Sequence, residues 1–374
     1  MIKAIDISNF KLHDKTRIET GNLTILTGLN GMGKSTVIQS LLLLRQSFLS
    51  SDLDKGLNLN GDLCKVGTSG ELSCWSSQSH TLDLTLEFDN NQILKFAFDY
   101  PDSIYETFLP NSSQEKGYSK NVVERHSIFN NHFQYLSAYR FGPMEIYKRD
   151  SLIVQTQRQL SKEQGKGEYV VHFLNYYRNE ALPIPELLYP LLEDPSLETQ
   201  TETWLRKISP NIKIKIEPSG ADFKLGYKYE RVNNRQTEAA AAINTGFGIT
   251  YILPVFVAIL SAHPGALIII ENPEAHIHPG GQAVLMQLIS LAAKNGVQII
   301  LETHSDHIIN GALIAVKRAD LTKEQLSVYF FERNEEEHSA IVHKLEVTDT
   351  GKIRRPPKDF FDQFDKDLQQ LTGF

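Results

Sequence analysis

The chain has 374 residues, of which 41% are hydrophobic and 22% are charged, and its formal net charge is −7. This composition is that of an ordinary globular protein, and the acidic balance argues against a surface that coats nucleic acid regardless of sequence. The two cysteines, Cys64 and Cys74, form neither a disulfide framework nor a zinc pattern, so we expect a cytoplasmic protein. Residues 1–20 are charged and interrupted, unlike a signal peptide.

The first predicted functional element is a phosphate-binding loop at residues 28–36. Its sequence, GLNGMGKST, fits the pattern G-x-x-x-x-G-K-[ST]. A β-rich run at 23–26 precedes it and a run of helical composition at 37–44 follows, so the sequence predicts a strand, a loop and a helix. In that arrangement the glycines let backbone N–H groups surround phosphate oxygens, and the helix N-terminus favours the same anion.

The side chains of this loop predict that ATP and Mg²⁺ are cofactors. Lys34 can reach the β- and γ-phosphates, and the Ser35 hydroxyl can bind Mg²⁺. The residues expected to bind the nucleotide here are Asn30, Gly31, Gly33, Lys34, Ser35 and Thr36.

The middle of the chain predicts a hairpin and then a helical lobe. Residues 81–88 and 93–100 flank a polar DNNQ turn and read as an antiparallel hairpin. Residues 151–208 have helical composition, but prolines between 183 and 195 cut them, and no apolar heptad lasts several turns. We therefore expect a compact lobe and no long coiled-coil arm.

Residues 207–235 form a locally basic stretch. Apolar and polar residues alternate on both sides of Pro218-Ser219-Gly220, which predicts a hairpin around this turn. Its lysines and arginines, together with Tyr227 and Tyr229, make a nucleic-acid or partner surface one interpretation. The solvated face of a hairpin is the more common explanation of such a charge run.

Two apolar runs near the C-terminus end in polar side chains. Residues 266–271 suit a buried parallel strand that ends in Glu271, and an acid there can hold the Mg²⁺ that bridges the phosphates. Residues 297–302 form a second such strand, after which His304 could sense a γ-phosphate. The apolar stretch from 249 to 270 is long enough to span a bilayer, but Pro254 interrupts it and His263-Pro264-Gly265 splits it into a helix and a strand. We therefore expect the stretch from 249 to 270 to lie in the hydrophobic core and not to cross a membrane.

The loop, the segment ENPEAHIHP and the segment ETHSDHIING, in that order, resemble the ABC-type ATPase heads of the SMC/RecF class, often labelled AAA-family ATPases in bacteria. The segments INTGFGITYILP, YLSAYRFGP and GKIRRPPKDFFDQF resemble a bacterial subfamily of stand-alone ATPases within it. The resemblance covers about the first fifty residues and most of the last 140. It implies an α/β fold, in which an ABC-type P-loop ATPase core carries an antiparallel β subdomain and an inserted compact helical lobe.

The resemblance also implies a division of the chain into three parts. Residues 1–145 would form the N-terminal half of the core, with the phosphate-binding loop and the β subdomain. Residues 146–236 would form the inserted lobe and hairpin. Residues 237–374 would form the C-terminal half. It would contain a signature-like loop (residues 245–248), the metal-binding strand (residues 266–271) and the histidine loop, which is the segment around His304 after the second apolar strand.

Residues 245–248, here called the signature-like loop, stand where ABC proteins carry their signature loop: Thr245, Gly246, Phe247 and Gly248. In that class the loop contacts the γ-phosphate of a nucleotide held by the other subunit, which implies a homodimer closed by ATP. Two glycines before an apolar helix agree with an anion at the helix N-terminus. The alternative is a plain N-terminal cap of a core helix.

The catalytic candidates depart from the pattern of the class. ABC ATPases usually end the metal-binding strand in Asp-Glu, whereas this chain has Glu271-Asn272. Glu271 can still bind metal, but Asn272 cannot accept a proton. Either Glu274 replaces the missing base or hydrolysis is slow, and we favour slow hydrolysis. His304 completes the catalytic candidates.

Three functional classes follow from this interpretation. The first is an ATP-driven switch that acts with a separate effector protein, such as a nuclease, in defence against phage. The second is a DNA repair or maintenance ATPase that clamps DNA, and the third is a nucleotide-gated scaffold without significant turnover. A transition-metal hydrolase built on Glu302, His304, Asp306 and His307 fits less well, because the spacing differs from H-E-x-x-H.

Overall fold

The computed structural model describes residues 1–112, 120–190, 193–231, 235–357, 360 and 363–372, with only the backbone described at 363–367. The strands are β1 (Ile2–Phe10), β2 (His13–Glu19), β3 (Leu23–Gly28), β4 (Gly56–Asn58), β5 (Thr81–Phe88), β6 (Ile93–Asp99), β7 (Phe108–Pro110), β8 (Phe133–Leu136), β9 (Ile212–Ser219), β10 (Asp222–Tyr229), β11 (Ala240–Ala241), β12 (Leu267–Glu271), β13 (Gln298–Glu302), β14 (Leu326–Asn334), β15 (Ser339–Val347) and β16 (Ile353–Arg354). The α-helices are α1 (Lys34–Leu49), α2 (Lys120–Val123), α3 (Val170–Tyr177), α4 (Leu197–Leu205), α5 (Phe247–Leu260), α6 (Pro279–Lys294), α7 (Asp306–Lys317) and α8 (Gln363–Thr372).

The functional elements are organised by a large mixed sheet. Its strand order among the described residues is β16-β15-β14-β3-β13-β12-β8, and the five strands from β14 to β8 run parallel. The three predicted buried strands, β3, β12 and β13, lie side by side at its centre. Their carboxyl ends therefore meet at one edge, which is where open parallel sheets bind ligands.

Side chains of the central strands alternate between two hydrophobic cores, one on each face of the sheet. In β12, Leu267 and Ile269 join the core that contains α1 and the N-terminal strands, whereas Ile268 and Ile270 join the core of α5 and α6. Successive side chains of a strand point to opposite faces of the sheet, and here each face is covered by a hydrophobic core. Every position of such a strand is therefore apolar, which explains the continuous apolar runs in the sequence.

The N-terminal strands build a separate antiparallel sheet with the order β2-β1-β5-β6. The predicted hairpin is confirmed, because β5 and β6 pair antiparallel from Thr81–Asp99 to Glu87–Ile93. In β5 buried and part-exposed residues alternate, as expected for a sheet with one face on the core. The α/β class with an antiparallel β subdomain is therefore confirmed.

The region between the two halves of the central sheet contains less helix than its composition suggests. It holds a π-helix (Leu152–Thr156), α3 and α4, with α3 and α4 only 8 and 9 residues long, and the predicted basic hairpin, formed by β9 and β10. Trp204 is fully buried and donates its indole N–H to Leu187 O at 3.1 Å. Short helices cut by prolines cannot build a coiled-coil arm, so the lobe packs onto the same core as α5.

The long apolar stretch divides as predicted into a helix, α5, and a strand, β12. Pro254, however, lies inside α5 and does not interrupt it. The ring is accommodated because Gly167 faces it: a Cβ at Gly167 would lie 3.0 Å from Pro254 Cγ. Among the described residues, none of the helices has the length and apolar character that a membrane span needs.

Candidate nucleotide-binding site

The phosphate-binding loop connects β3 to α1 at the centre of the sheet edge. Gly31 and Gly33 have φ values of 75° and 98°, a region that L-residues rarely adopt. Gly33 is the N-cap of α1, so the backbone enters the helix from a left-handed conformation and leaves the first N–H groups without helical partners. This is the backbone that a phosphate group would need.

His13, which the sequence analysis did not single out, supports this loop from β2. Its Nε2 is 2.9 Å from Gly33 O, and its Nδ1 is 2.8 Å from Thr16 Oγ1. Because a carbonyl can only accept, Nε2 carries the proton and Thr16 donates to Nδ1. Burial lowers the pKa of His13, which favours this neutral form.

Lys34 lies across the inside of the loop. It is 3% exposed, and its Nζ donates to Gly28 O at 2.9 Å and to Leu29 O at 2.6 Å. Burial lowers the pKa of Lys34, while the negative charge of Glu302 acts in the opposite direction. The ammonium group is therefore held by carbonyl groups that phosphate oxygens can replace.

Glu302 faces Ser35 from the end of β13. Ser35 Oγ donates a hydrogen bond to Glu302 Oε1 at 3.0 Å, while Glu302 Oε2 is buried without a hydrogen-bond partner among the described residues. Burial, and after it the charge of Glu271, raises the pKa of Glu302 to about 7. Glu271 and Glu302 are paired across β12 and β13, so two acidic groups stand side by side on one face of the sheet.

Glu271 uses both carboxylate oxygens to hold the segment after β8. Tyr135 OH donates to Oε1 at 3.1 Å, and the Ala138 N–H donates to Oε2 at 3.2 Å. Burial raises the pKa of Glu271, opposed by these hydrogen bonds and by the charge of Arg140. Both oxygens of this side chain are thus occupied within the chain.

Arg140 joins the turn after β12 to α5. Its guanidinium donates to the backbone oxygens of Ser137 (2.7 Å), Glu271 (2.7 Å) and Asn272 (2.9 Å), and it stacks 4.2 Å from the centre of the Tyr251 ring. Arg140 is 4% exposed. It therefore fixes the backbone of the turn that carries the catalytic candidates.

Glu274 lies against the histidine loop, whereas Asn272 takes part through its backbone. The His304 N–H donates to Glu274 Oε1 at 3.0 Å, and Glu274 Oε2 is buried without a partner. Burial raises the pKa of Glu274 and lowers that of His304, whose pKa the charge of Lys34 lowers further. Asn272 has a φ of 43°, and its side chain makes no hydrogen bond to any part of the chain that the structure describes.

The signature-like loop is on the surface at the start of α5. Phe247 is 45% exposed, and its ring lies 4.5 Å from the ring of His276. Gly248 touches the same segment, since a Cβ there would lie 2.2 Å from His276 O. Across the described ranges, no hydrogen bond or ring contact joins this loop to residues 28–36 of the same chain.

The structure thus brings together one group of the predicted site residues and leaves another apart. The first group surrounds the loop: Lys34, Ser35, Glu271, Glu274 and His304. The second is the signature-like loop. Sequence reasoning missed the roles of His13, Arg140 and Glu302, although Glu302 ends its apolar run as Glu271 does.

The acidic and histidine side chains near the sheet edge were the residues on which the sequence allowed a transition-metal site. No group of three or more His, Cys, Asp or Glu side chains is arranged to hold a metal ion, so far as the described residues extend. A Mg²⁺ site needs fewer protein ligands, because one or two carboxylates act together with substrate phosphates and water.

Comparison with protein families identifies two matching regions. Residues 23–310, well over half of the chain, match the family described as "AAA domain, putative AbiEii toxin, Type IV TA system". Residues 321–371 match a family described as a protein of unknown function (DUF3696). No curated protein matches the sequence.

Solved structures share the fold at low sequence identity. The crystal structure of an SmcHead bound to the C-winged helix domain of ScpA aligns with a TM-score of 0.54 and 14% identity, over 92% of this chain and 97% of that one. An Smc head domain with an extended coiled coil, bound to the C-terminal domain of ScpA and derived from Pyrococcus furiosus, aligns with a TM-score of 0.50 and 13% identity, over 99% of both chains.

Proposed function

Since the chain belongs to the AAA-domain family whose description names an AbiEii toxin and a type IV toxin–antitoxin system, we propose that it is an ATP-dependent switch in anti-phage defence. It has the fold of an ABC-type, SMC-like ATPase head. In this proposal it binds Mg-ATP, closes into a homodimer, hydrolyses ATP slowly and controls a separate effector protein, such as a nuclease. The proposal covers more than the fold, and the following observations support it.

The observation that carries the proposal is the position of Lys34 and Ser35 at the sheet edge. Lys34 is buried against Gly28 O and Leu29 O, inside a loop whose glycines hold left-handed conformations. A buried ammonium group that lacks a direct carboxylate partner is well suited to a phosphate, which supplies charge-assisted hydrogen bonds. The N-terminus of α1 points at the same place.

The residues around Ser35 fit a magnesium ion. Two glutamates end adjacent strands there, and Glu302 Oε2 is a buried acceptor without a partner. Ser35 and the glutamates are oxygen donors, which Mg²⁺ prefers. When bound, the ion would neutralise charge on the phosphates, while the chain's own contribution is to orient the Ser35 hydroxyl and exclude water with the buried strands.

Slow hydrolysis is proposed because the position of the usual proton acceptor is occupied by Asn272. Asn272 can orient a water but cannot take its proton, so the residue next to Glu271 lacks this function. Glu274, in the same turn, could take this role, since among the described residues its Oε2 has no hydrogen-bond partner and burial raises its pKa. Whereas the sequence left slow hydrolysis and a role of Glu274 as alternatives, we now propose that Glu274 acts as a base that is less effective than the usual residue, so that hydrolysis is slow. We expect turnover below about 1 s⁻¹, the low end for ordinary enzymes.

Dimerisation is supported by the exposed signature-like loop. Phe247, the first residue of α5, is 45% exposed, and among the described residues no hydrogen bond or ring contact joins this loop to residues 28–36 of the same chain. A two-fold dimer would give each loop the complementary part of the other chain. The SmcHead structure is bound to a domain of ScpA, a partner of that protein, and this supports an effector partner by analogy only.

The basic stretch at 207–235 gives less support to a DNA clamp. Lys213 pairs with Glu230 at 3.0 Å, and Lys215 pairs with Glu217, so acids of the same hairpin neutralise part of its charge. Tyr227 is completely buried and cannot stack on a base. Residues 232–234 of this stretch lie outside the described residues. DNA clamping and a scaffold without turnover remain the alternative proposals.

Sedimentation tests the switch most directly. We expect the chain to be a monomer without nucleotide and a dimer with Mg²⁺ and a non-hydrolysable ATP analogue. Analogue binding by calorimetry, run on the same sample, separates a failure to bind from a failure to close. A monomer that stays monomeric at high concentration with the analogue bound would contradict the proposal.

A further inference from the structure

The strongest unexplained feature of the site is Glu302. In the class that the sequence resembles, the metal-binding acid ends the strand that here is β12, so the sequence analysis assigned this role to Glu271. In the structure Glu271 and Glu302 lie side by side, but their hydrogen bonds differ. The difference decides which of them is free to hold a cation.

Glu271 is already engaged on both oxygens. Tyr135 OH and the Ala138 N–H occupy Oε1 and Oε2, respectively, and both donors belong to the β8 strand and the segment after it. Removing Glu271 from these donors would leave the Ala138 N–H and the Tyr135 hydroxyl in a largely buried place without an acceptor. This side chain therefore acts as a support for the neighbouring segment.

Glu302 is engaged on one oxygen only, and its donor is the predicted metal ligand. Ser35 Oγ donates to Glu302 Oε1 at 3.0 Å, and a hydroxyl that donates in this direction keeps its lone pairs for a cation. Glu302 is 6% exposed, and no hydrogen-bond partner of its Oε2 lies in the part of the chain that the structure describes. A buried carboxylate oxygen without a partner is costly unless a ligand completes it.

The position of Glu302 follows from the period of the strands. Ile269 and Ile300 belong to the core that contains α1, and two residues later Glu271 and Glu302 point to the same face. Two adjacent carboxylates on one face repel each other, and a divalent cation between them and Ser35 would relieve that repulsion.

We propose that Glu302, and not Glu271, is the carboxylate through which this chain holds Mg²⁺ beside Ser35. This inference rests on the proposed function, because it assumes that a nucleotide brings the ion to the loop. It moves the metal-binding acid from β12 to the adjacent strand β13. Glu271 then becomes a positioning residue for the segment after β8.

The test compares two isosteric variants, Glu302→Gln and Glu271→Gln, with the unchanged chain. Calorimetry with a non-hydrolysable ATP analogue in EDTA first measures binding without metal. Titration of Mn²⁺ into each analogue complex, followed by electron paramagnetic resonance, then measures metal affinity without any turnover. We expect Glu302→Gln to weaken Mn²⁺ binding by at least roughly ten- to hundredfold, since the loss of a residue that only supports a metal ligand already costs that much.

Glu271→Gln should weaken Mn²⁺ binding less and lower the midpoint of thermal unfolding more, because it disturbs the Ala138 and Tyr135 hydrogen bonds. Glu302→Gln should unfold at or above the temperature of the unchanged chain, since it removes one of two adjacent acids. If Glu302→Gln fails to fold, Glu302→Asp keeps the charge and should weaken Mn²⁺ binding by lengthening the contact.

The outcomes separate this inference from the proposed function. A chain that binds no analogue, with or without metal, contradicts the proposed function. A chain that binds the analogue in EDTA, and whose Mn²⁺ affinity is unchanged by Glu302→Gln, overturns the inference alone. Loss of Mn²⁺ binding in Glu271→Gln but not in Glu302→Gln returns the metal to the position that the sequence resemblance implied.

Discussion

The phosphate-binding loop and the signature-like loop both lead into helices, but they differ in the contacts that hold their functional groups within the chain. The anchoring groups of the first are bonded within the chain, although its tip is open: His13 binds Gly33 O, Lys34 binds two carbonyl groups and Ser35 binds Glu302, while Leu29 at the tip is 66% exposed. The second presents Phe247 to the surface at 45% exposure.

This difference shows which part of the proposed nucleotide site one chain can form alone, namely the groups that bind phosphate and metal. Groups that bind phosphate and metal must be ordered before the ligand arrives, and burial among strands provides that order. The signature-like loop packs against His276 and, through Tyr251, against Arg140. Its inner side is therefore fixed by contacts within the chain, whereas its outer side is exposed. The comparison predicts large effects from changes within the buried half and smaller ones at the exposed loop.

The largest effect is expected at Glu274, in the turn after β12, which accepts a hydrogen bond from the His304 N–H. Glu274→Gln should lower ATP turnover by roughly 10²-fold or more, because it removes the carboxylate left to accept a proton. A phosphate-release assay measures it. Glu332→Gln, at an exposed pair with His343, serves as the control and should leave turnover unchanged.

The opposite result at Glu274 has a definite meaning. If Glu274→Gln leaves turnover as it was while Asn272→Glu speeds it, the chain lacks a general base and the base can be restored at position 272. Turnover of the unchanged chain well above about 1 s⁻¹ would contradict slow hydrolysis.

The next effect concerns Lys34, the buried lysine of the phosphate-binding loop. Lys34→Ala should weaken ATP binding roughly ten- to hundredfold, which corresponds to about 1.5–3 kcal/mol for hydrogen bonds to a charged group. Calorimetry measures the affinity, and circular dichroism checks that the fold persists. Lys344→Ala, an exposed lysine paired with Glu19, should bind ATP normally. Equal affinities for the two variants would remove Lys34 from the site.

The smallest effect is expected at the exposed loop. Phe247→Ala should leave ATP binding by the monomer unchanged and weaken the analogue-bound dimer by about tenfold, within the range for one aromatic interface residue. Trp75→Ala is the matched control, because Trp75 is 89% exposed and belongs to the N-terminal half. Sedimentation at several concentrations measures both. A weaker dimer in Trp75→Ala alone would place the interface elsewhere.

The sequence by itself determined the elements and the chemistry of the loop. The glycines and Lys34-Ser35 form a local pattern, the apolar runs that became β12 and β13 are typical of buried strands, and the run that became β3 is rich in β-forming residues. The fold class followed from the resemblance that these segments, taken in their order, show to ABC-type ATPase heads. Pro254 was misjudged because tertiary packing can override the low helix propensity of a proline, and packing such as the contact of its ring with Gly167 is distant in sequence.

Only the tertiary structure decided which polar groups meet. Glu271 and Glu302 each end an apolar run, and nothing local tells which of them faces Ser35. That choice depends on the order β3-β13-β12, which places β13 next to β3 and β12 one strand further away. Strand order and register are set by long-range packing and by the period of two in each strand, and they decide the partners of each carboxylate.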